Sequence, residues 1–310
     1  MLRAAVVGVG YLGAFHAQKY ASLEGVDLVA VVDRDPARAV EVGRMVGAPS
    51  VTDIAEIAGE IDCASLAVPT TEHHALAVRL LRAGVDLLVE KPITPSAAEG
   101  RELVELAQRG GRILQVGHLE RFNPAIRSLA GVIAHPRFIE CHRLAPFVER
   151  GTEVDVILDL MIHDLDIILS IVDGEVESAE AVGVPVLSEK VDIANARLRF
   201  SNGTIANVTA SRVALKRERK IRFFQSDAYV SVDYGERIIR VYRRLAPDEP
   251  GGLPRIDIQE ENFDDADPLF DEVEAFVHSV RTREQPMVDG ATAVRVLDLA
   301  ERLRDALESE

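Results

Sequence analysis

Arg3-Ala4-Ala5-Val6-Val7-Gly8-Val9-Gly10-Tyr11-Leu12-Gly13 decides the fold. An apolar strand runs straight into a G-x-G-x-x-G loop, and residues 14–23 read as a helix behind it. Gly8 permits a tight turn, Gly10 lets backbone approach a pyrophosphate, and Gly13 brings helix and strand close. The free amides of the helix start, with Tyr11 and Leu12 in the same loop, hold the anion. A second strand over 26–32 ends at Asp33, twenty residues past Gly13, where a carboxylate accepts hydrogen bonds from ribose hydroxyls. Strand, loop, helix and acid together predict dinucleotide binding. Asp33 favours NAD, because a 2′-phosphate would meet a like charge. Arg34 stacks on adenine or pairs with such a phosphate, which keeps NADP as the lesser alternative.

The alternation continues through the first half. A helix over 35–46 opens with Asp35 as N-cap and Pro36 at its first position. A short helix over 52–58, a strand over 63–68, a helix from Pro69 through 83, a strand ending at Glu90, a helix over 96–109 and a strand over 113–116 follow. This pattern predicts a doubly wound parallel sheet with right-handed crossovers. Ligands bind at the carboxyl ends of such strands. Three of those ends carry polar groups: Pro69-Thr70-Thr71-Glu72-His73, Glu90-Lys91-Pro92 and Gly117-His118.

With 310 residues and 47% hydrophobic content, the chain is long enough for two cores. The expected division is 1–121 as a dinucleotide-binding domain and 122–310 as a substrate-binding and oligomerisation domain. The last helix is a candidate to pack back on the first domain. A formal charge of −16 opposes a nucleic-acid partner. The lack of a long apolar run opposes a membrane span, and the N-terminus lacks the order of a signal peptide. Cys63 and Cys141 sit in separate apolar stretches and read as buried free thiols of a cytoplasmic protein.

Past Pro124 the alternation breaks. A helix over 125–133, a strand over 137–144 and a long apolar helix over 155–172 precede short strands at 176–184, 193–200, 204–212, 220–225, 228–233 and 237–243. Asn202-Gly203 is a type I′ hairpin signal, and 226–227 and 234–235 are further turns. Residues 247–254 read as a loop, and helices over 268–281 and 291–307 close the chain. The second domain is expected to be α+β, with a large, open, mainly antiparallel sheet. On the long helix, Asp159 and His163 are four residues apart, hence on one face, with Asp166 three further on. A carboxylate beside an imidazole raises its basicity and fixes its orientation. The alternative is a polar pair anchoring a buried helix. Asp159, His163 and Asp166 lack a further convergent Cys or His, so no metal is expected.

Gly8-x-Gly10-x-x-Gly13-x-x-His16-Ala17, Pro69-Thr70-x-x-His73, Glu90-Lys91-Pro92 and the Asp159/His163 pair resemble the glucose-fructose oxidoreductase, inositol dehydrogenase and MocA (Gfo/Idh/MocA) family. The resemblance spans essentially the whole chain. Within that family, residues 117–124 and 160–166 look most like the members that oxidise UDP-N-acetylglucosamine at C3. The resemblance implies an NAD-dependent oxidation of a sugar hydroxyl, with Lys91 and His163 handling the proton, and a cis Lys91-Pro92 peptide.

Hydride removal is a positioning problem, and the proton needs a base with a pKa near the working pH, which histidine supplies. His163 is therefore the expected base, Lys91 the donor to the same hydroxyl, and Asp159 the orienting carboxylate. Glu90 contacts the cofactor ribose, pairs with Lys91 or is structural. His118 and Asn123 are candidates to meet the sugar of the substrate, and Arg121, Arg143, Arg150 and Arg212 to meet a diphosphate. Two alternatives stand beside this reading: a free-sugar or inositol dehydrogenase, and a non-catalytic sensor of a dinucleotide or sugar. An open sheet needs its free face covered, so a homodimer or homotetramer through that sheet is expected.

Overall fold

β1, Leu2–Val7, has four of its six residues buried, as a central strand covered on both faces requires. The computed structural model describes residues 1–148, 154–247 and 253–307. These fall into two compact units, Met1–Leu119 with Asp267–Asp298, and Glu120–Ala266 with the end of the chain from Leu299.

The first unit holds a six-stranded sheet: β1, β2 (Val26–Val32), β3 (Ser50–Val51), β4 (Cys63–Leu66), β5 (Asp86–Glu90) and β6 (Leu114–Gly117). The spatial order is β3-β2-β1-β4-β5-β6, and every pairing is parallel. The order reverses between β1 and β4, which opens a crevice above their carboxyl ends. The intervening helices are α1 (Tyr11–Ser22), α2 (Pro36–Val46), α3 (Thr70–Arg82) and α4 (Ala97–Gly110). Asp35 caps α2 by accepting from the Ala37 amide at 2.9 Å, and Ser96 caps α4 through the Glu99 amide at 3.3 Å. The short helix expected over 52–58 is a single 3₁₀ turn, Ile54–Glu56.

The second unit holds an eight-stranded sheet in the order β14-β13-β12-β11-β7-β10-β9-β8. Its strands are β7 (Phe138–Leu144), β8 (Val176–Val184), β9 (Ile193–Phe200), β10 (Ile205–Ser211), β11 (Glu218–Phe224), β12 (Ala228–Asp233), β13 (Ile238–Leu245) and β14 (Arg255–Asn262). Only β7 with β10 pairs in parallel. β14 is absent from the sequence reading. It is an exposed edge strand rich in charge, which blunts an edge but removes the apolar alternation that announces a strand. Part of the loop expected over 247–254 lies outside the described residues.

Two helices differ from expectation. The first is only α5 (Pro124–Arg127), and the following turns end at Gly131, whose φ of 80° no helix continues. The second begins with a π turn, Ile157–Met161, before α6 (Ile162–Ile171). At Asn202-Gly203 only Gly203 has a positive φ, and its amide donates to the Phe200 carbonyl at 2.9 Å. The connection is thus a type I turn closed by a left-handed glycine, in place of the expected type I′ turn.

The C-terminal helices are α7 (Pro268–Thr282) and α8 (Gly290–Leu307). α7 belongs to the first unit, where Val273, Phe276, Val277 and Val280 join the core formed by β1, β2 and α1. α8 divides between the units at residue 298. No described helix is long and apolar enough to cross a membrane.

Candidate functional site

The glycine loop is dictated by close contact. Gly8 has φ 82°, and a Cβ there would lie 2.6 Å from Val68. At Gly13 a Cβ would lie 1.8 Å from the Gly8 carbonyl oxygen, so helix and strand meet only if residue 13 has no side chain. A Cβ on Gly10 would meet no atom within 4 Å. Its absence leaves open space beside the loop, where backbone can approach a pyrophosphate. Asp33 is fixed by accepting from the Val9 amide at 2.9 Å and the Asp35 amide at 3.0 Å. Gly8, Gly10, Asp33, Arg34, Val68 and Pro69 line a cleft of about 390 Å³ at the reversal of strand order. Thr70 opens α3 beside it. Arg34 pairs with Glu72 at 3.0 Å in the same cleft. Arg38, which sequence reasoning passed over, donates to the Val9 carbonyl at 2.7 Å and the Gly10 carbonyl at 3.0 Å, bracing the loop from α2. The donor set and the cradle fit NAD.

The second strand end is Glu90-Lys91-Pro92. The Lys91-Pro92 peptide is cis, and Lys91 is half-buried. His73, 1% exposed, has its ring nitrogens 2.9 Å from the carbonyl oxygens of Pro92 and Val68. Burial pushes the His73 pKa below the usual range, against the pull of those carbonyls. The ring therefore clamps two strand ends together. Glu90, for which the sequence left three roles open, lies 2.9 Å from His16 Nε2. His16 Nδ1 is 3.1 Å from the Ser65 hydroxyl, which is 3.0 Å from Tyr20. Gly117 makes room for this: a Cβ there would lie 2.9 Å from the Glu90 carboxylate.

Glu272 of α7 completes the group. Its ligand oxygen, Glu90's and a His16 nitrogen all lie within 4.8 Å of one another. Burial and the Glu90 charge push its pKa well above the usual carboxylate range. Sequence reasoning missed it, although a signal existed. Glu272 shares the inward face of an amphipathic helix with Phe276 and Val280, where a carboxylate has no ordinary place.

In the second unit, Asp159 and His163 are half-buried, on the π turn and on α6. Asp166 is buried, and Arg121 donates to it at 3.3 Å. Asp164, 0% exposed, anchors α6 beneath them. It accepts from Arg143 at 2.9 and 3.1 Å and from the Tyr234 hydroxyl. Arg143 also reaches Glu120 at 3.3 Å and sits 5.2 Å above the Tyr234 ring. Arg143 is therefore enclosed within the protein and is not disposed toward a diphosphate. Arg212 is enclosed likewise, donating to Asp192 at 2.8 Å and to the Val154 carbonyl at 2.9 Å. Asn123 caps α5 through the Ala125 amide at 3.1 Å and donates to the Tyr234 carbonyl at 3.2 Å. His118, at the end of β6 in the first unit, is 1% exposed. Arg150 lies outside the described residues. Cys63 and Cys141 are both free and buried.

These elements have close counterparts. Residues 2–118 match the model of an oxidoreductase family with an NAD-binding Rossmann fold, and residues 126–231 match the Gfo/Idh/MocA C-terminal domain. A UDP-N-acetylglucosamine 3-dehydrogenase of Acidithiobacillus ferrooxidans is 38% identical, across 99% of this chain and 98% of its own. Its solved structure superposes with a TM-score of 0.93 over 99% of this chain and 98% of that one. A scyllo-inositol 2-dehydrogenase of Bacillus subtilis is 30% identical over 69% of this chain and 68% of its own. Levoglucosan dehydrogenase in complex with NADH, at 17% identity, shares the fold with a TM-score of 0.89 over 99% of this chain and 97% of that one. With its glycine cradle, its fixed acid at the end of β2 and both of its domains matched, the chain belongs to the Gfo/Idh/MocA family of NAD-binding oxidoreductases.

Proposed function

We propose that this enzyme oxidises a secondary hydroxyl of a nucleotide sugar to a ketone, with the C3 hydroxyl of UDP-N-acetylglucosamine as the substrate to test first. The observation that carries the reading is the near full-length relation to a UDP-N-acetylglucosamine 3-dehydrogenase, in a chain that keeps Lys91, Asp159 and His163. NAD, when bound, takes the hydride. His163 removes the hydroxyl proton, Lys91 donates a hydrogen bond to the same oxygen and stabilises alkoxide character, and Asp159 orients His163 or the sugar. Gly8, Gly10, Tyr11, Leu12 and Gly13 hold the pyrophosphate. Asp33 holds the adenosine ribose, and Pro69, Thr70 and His73 shape the wall beside it. Of the arginines singled out in the sequence, Arg121 remains at 17% side-chain exposure, and we assign it to the diphosphate. The buried thiols suit the reducing cytoplasm, where we place the enzyme.

The test is turnover of Lys91→Ala and His163→Ala with NAD and UDP-N-acetylglucosamine. Each should lose roughly 10²–10⁴-fold in kcat. Near wild-type turnover in both variants would remove the scheme. The second reading, an inositol-type dehydrogenase, rests on the 30% identity to the Bacillus subtilis enzyme. UDP separates the two, because it stabilises only a protein with a uridine diphosphate site. A non-catalytic sensor has no need of both proton-handling groups.

A further inference from the structure

The first unit contains a buried polar cluster for which the reaction has assigned no task. β5 brings Glu90, α1 brings His16 and Tyr20, β4 brings Cys63 and Ser65, β6 brings Gln115, and α7 brings Glu272. Glu272 is 0% exposed, and among the described residues neither of its carboxylate oxygens has a hydrogen-bond partner. The Gln115 side-chain oxygen is buried without a donor too, while its amide nitrogen donates to the Glu272 backbone carbonyl at 3.1 Å. Three buried acceptor oxygens thus lack a donor in one place. What the site needs is a proton, and a carboxylic acid brings its own. Two like charges cannot both be held dry at this separation, whereas a carboxyl and a carboxylate sharing one proton can.

We propose that Glu272 is the positioning residue of the Glu90-Lys91-Pro92 turn: as a neutral acid it shares its proton with Glu90 and holds that carboxylate between His16 and Gly117. The strand end that carries Lys91 is thereby fixed from behind by α7. Glu90 already occupies the wall of Gly117, 2.9 Å from where a Cβ would stand, so any repulsion from a second charge displaces it along with the turn. The assignment rests on Lys91 acting in the reaction, and it makes a claim about Glu272 that can be read without turnover.

The experiment compares full-length wild type, Glu272→Gln and Glu272→Leu. Glutamine keeps a neutral donor and cannot ionise; leucine keeps bulk and removes the donor. Glu272→Leu should lower kcat roughly 10- to 100-fold, the scale of loss when a catalytic group is misplaced. Glu272→Gln should restore most of that loss. The wild-type rate should also fall at alkaline pH along a limb that Glu272→Gln lacks, since ionising Glu272 sets two carboxylates against each other. A structural filler predicts neither the rescue nor the missing limb. Infrared spectra at neutral pH should show a protonated-carboxyl band in wild type that disappears in Glu272→Gln. That readout stands even if no sugar is turned over, and even if Glu272→Leu does not fold. The proposal is overturned if Glu272→Leu turns over at the wild-type rate, if Glu272→Gln keeps the alkaline limb, or if the carboxyl band is the same in both. It is equally overturned if metal analysis finds one divalent ion per chain whose removal by EDTA abolishes the wild-type activity.

Discussion

At the scale of single residues, function and stability conflict at Glu272. Its carboxyl pKa is raised in the folded protein by burial first and by the Glu90 charge second. A raised folded-state pKa contributes stability fully below the unfolded value of about 4.3, and that contribution drains away as pH rises toward the folded value. Glu272→Gln removes the titration. Its melting temperature should therefore gain on wild type as pH rises from 5 to 8, at a rate of up to about 1.4 kcal/mol of relative stability per pH unit. Parallel thermal melts across that range check it, and a gap independent of pH contradicts the buried neutral acid. Gly8, Gly13 and Asp33 were legible in the sequence because their tasks are local: a turn, a close approach, a strand end. The joint role of Glu272, His16 and Gly117 was not, although His16 and Gly117 stand in the quoted motifs, because it arises from a meeting of α7, α1 and β6 with β5 that no spacing along the chain expresses.

At the scale of elements, α6 is held by charge more than by packing alone. Asp164 and Glu120 share Arg143, whose side chain is 4% exposed, and Asp164 has no other cation among the described ion pairs. Arg143→Met leaves Asp164 buried without a cation and Glu120 with only Arg219 at 3.8 Å, and should cost roughly 3–5 kcal/mol. The double change Arg143→Met with Asp164→Leu should recover a good part of that loss, since an apolar replacement of the pair avoids the unpaired charge. Urea unfolding of the two single variants and the double variant measures the coupling, and strictly additive losses would refute it. The apolar periodicity of residues 155–172 correctly announced a buried helix. It could not announce the π turn Ile157–Met161, because one extra residue in a turn leaves composition unchanged. The alternating strands of the second unit were readable wherever one face was buried. β14 escaped because an edge strand exposes nearly every residue and carries no alternation.

At the scale of the whole molecule, the eight-stranded sheet has two unlike faces. One is buried: Ile139, Cys141, Val208, Ile221, Phe223 and Val230 point into the unit. The other carries half-buried rings in a row across four adjacent strands. Phe138 and Phe224 have centroids 5.5 Å apart, Phe224 and Tyr229 5.0 Å, and Tyr229 and Tyr242 5.2 Å. Charged cross-strand pairs flank the row, including Arg222 with Glu140 at 2.8 Å and Lys220 with Asp233 at 3.3 Å. An apolar strip with a satisfied polar rim has the composition of an interface between proteins. The sequence reading expects a second copy of this chain to cover it, and a stable pairing would need about 800 Å² from each partner. The formal charge of −16 on each chain works against such association, so the apolar strip would have to outweigh a long-range repulsion. Two measurements follow from that balance. Raising salt should tighten the assembly, because exposed like charges are screened beyond about 10 Å at 0.1 M while apolar burial is not weakened. Tyr229→Asp with Tyr242→Asp, which puts new charge in the middle of the strip, should lower the mass seen by light scattering to that of one chain. Both tyrosines sit on the outer face, so the buried side of the sheet is left as it was. A mass that stays constant in the double variant, or an assembly that loosens with salt, would place the contact elsewhere on the molecule.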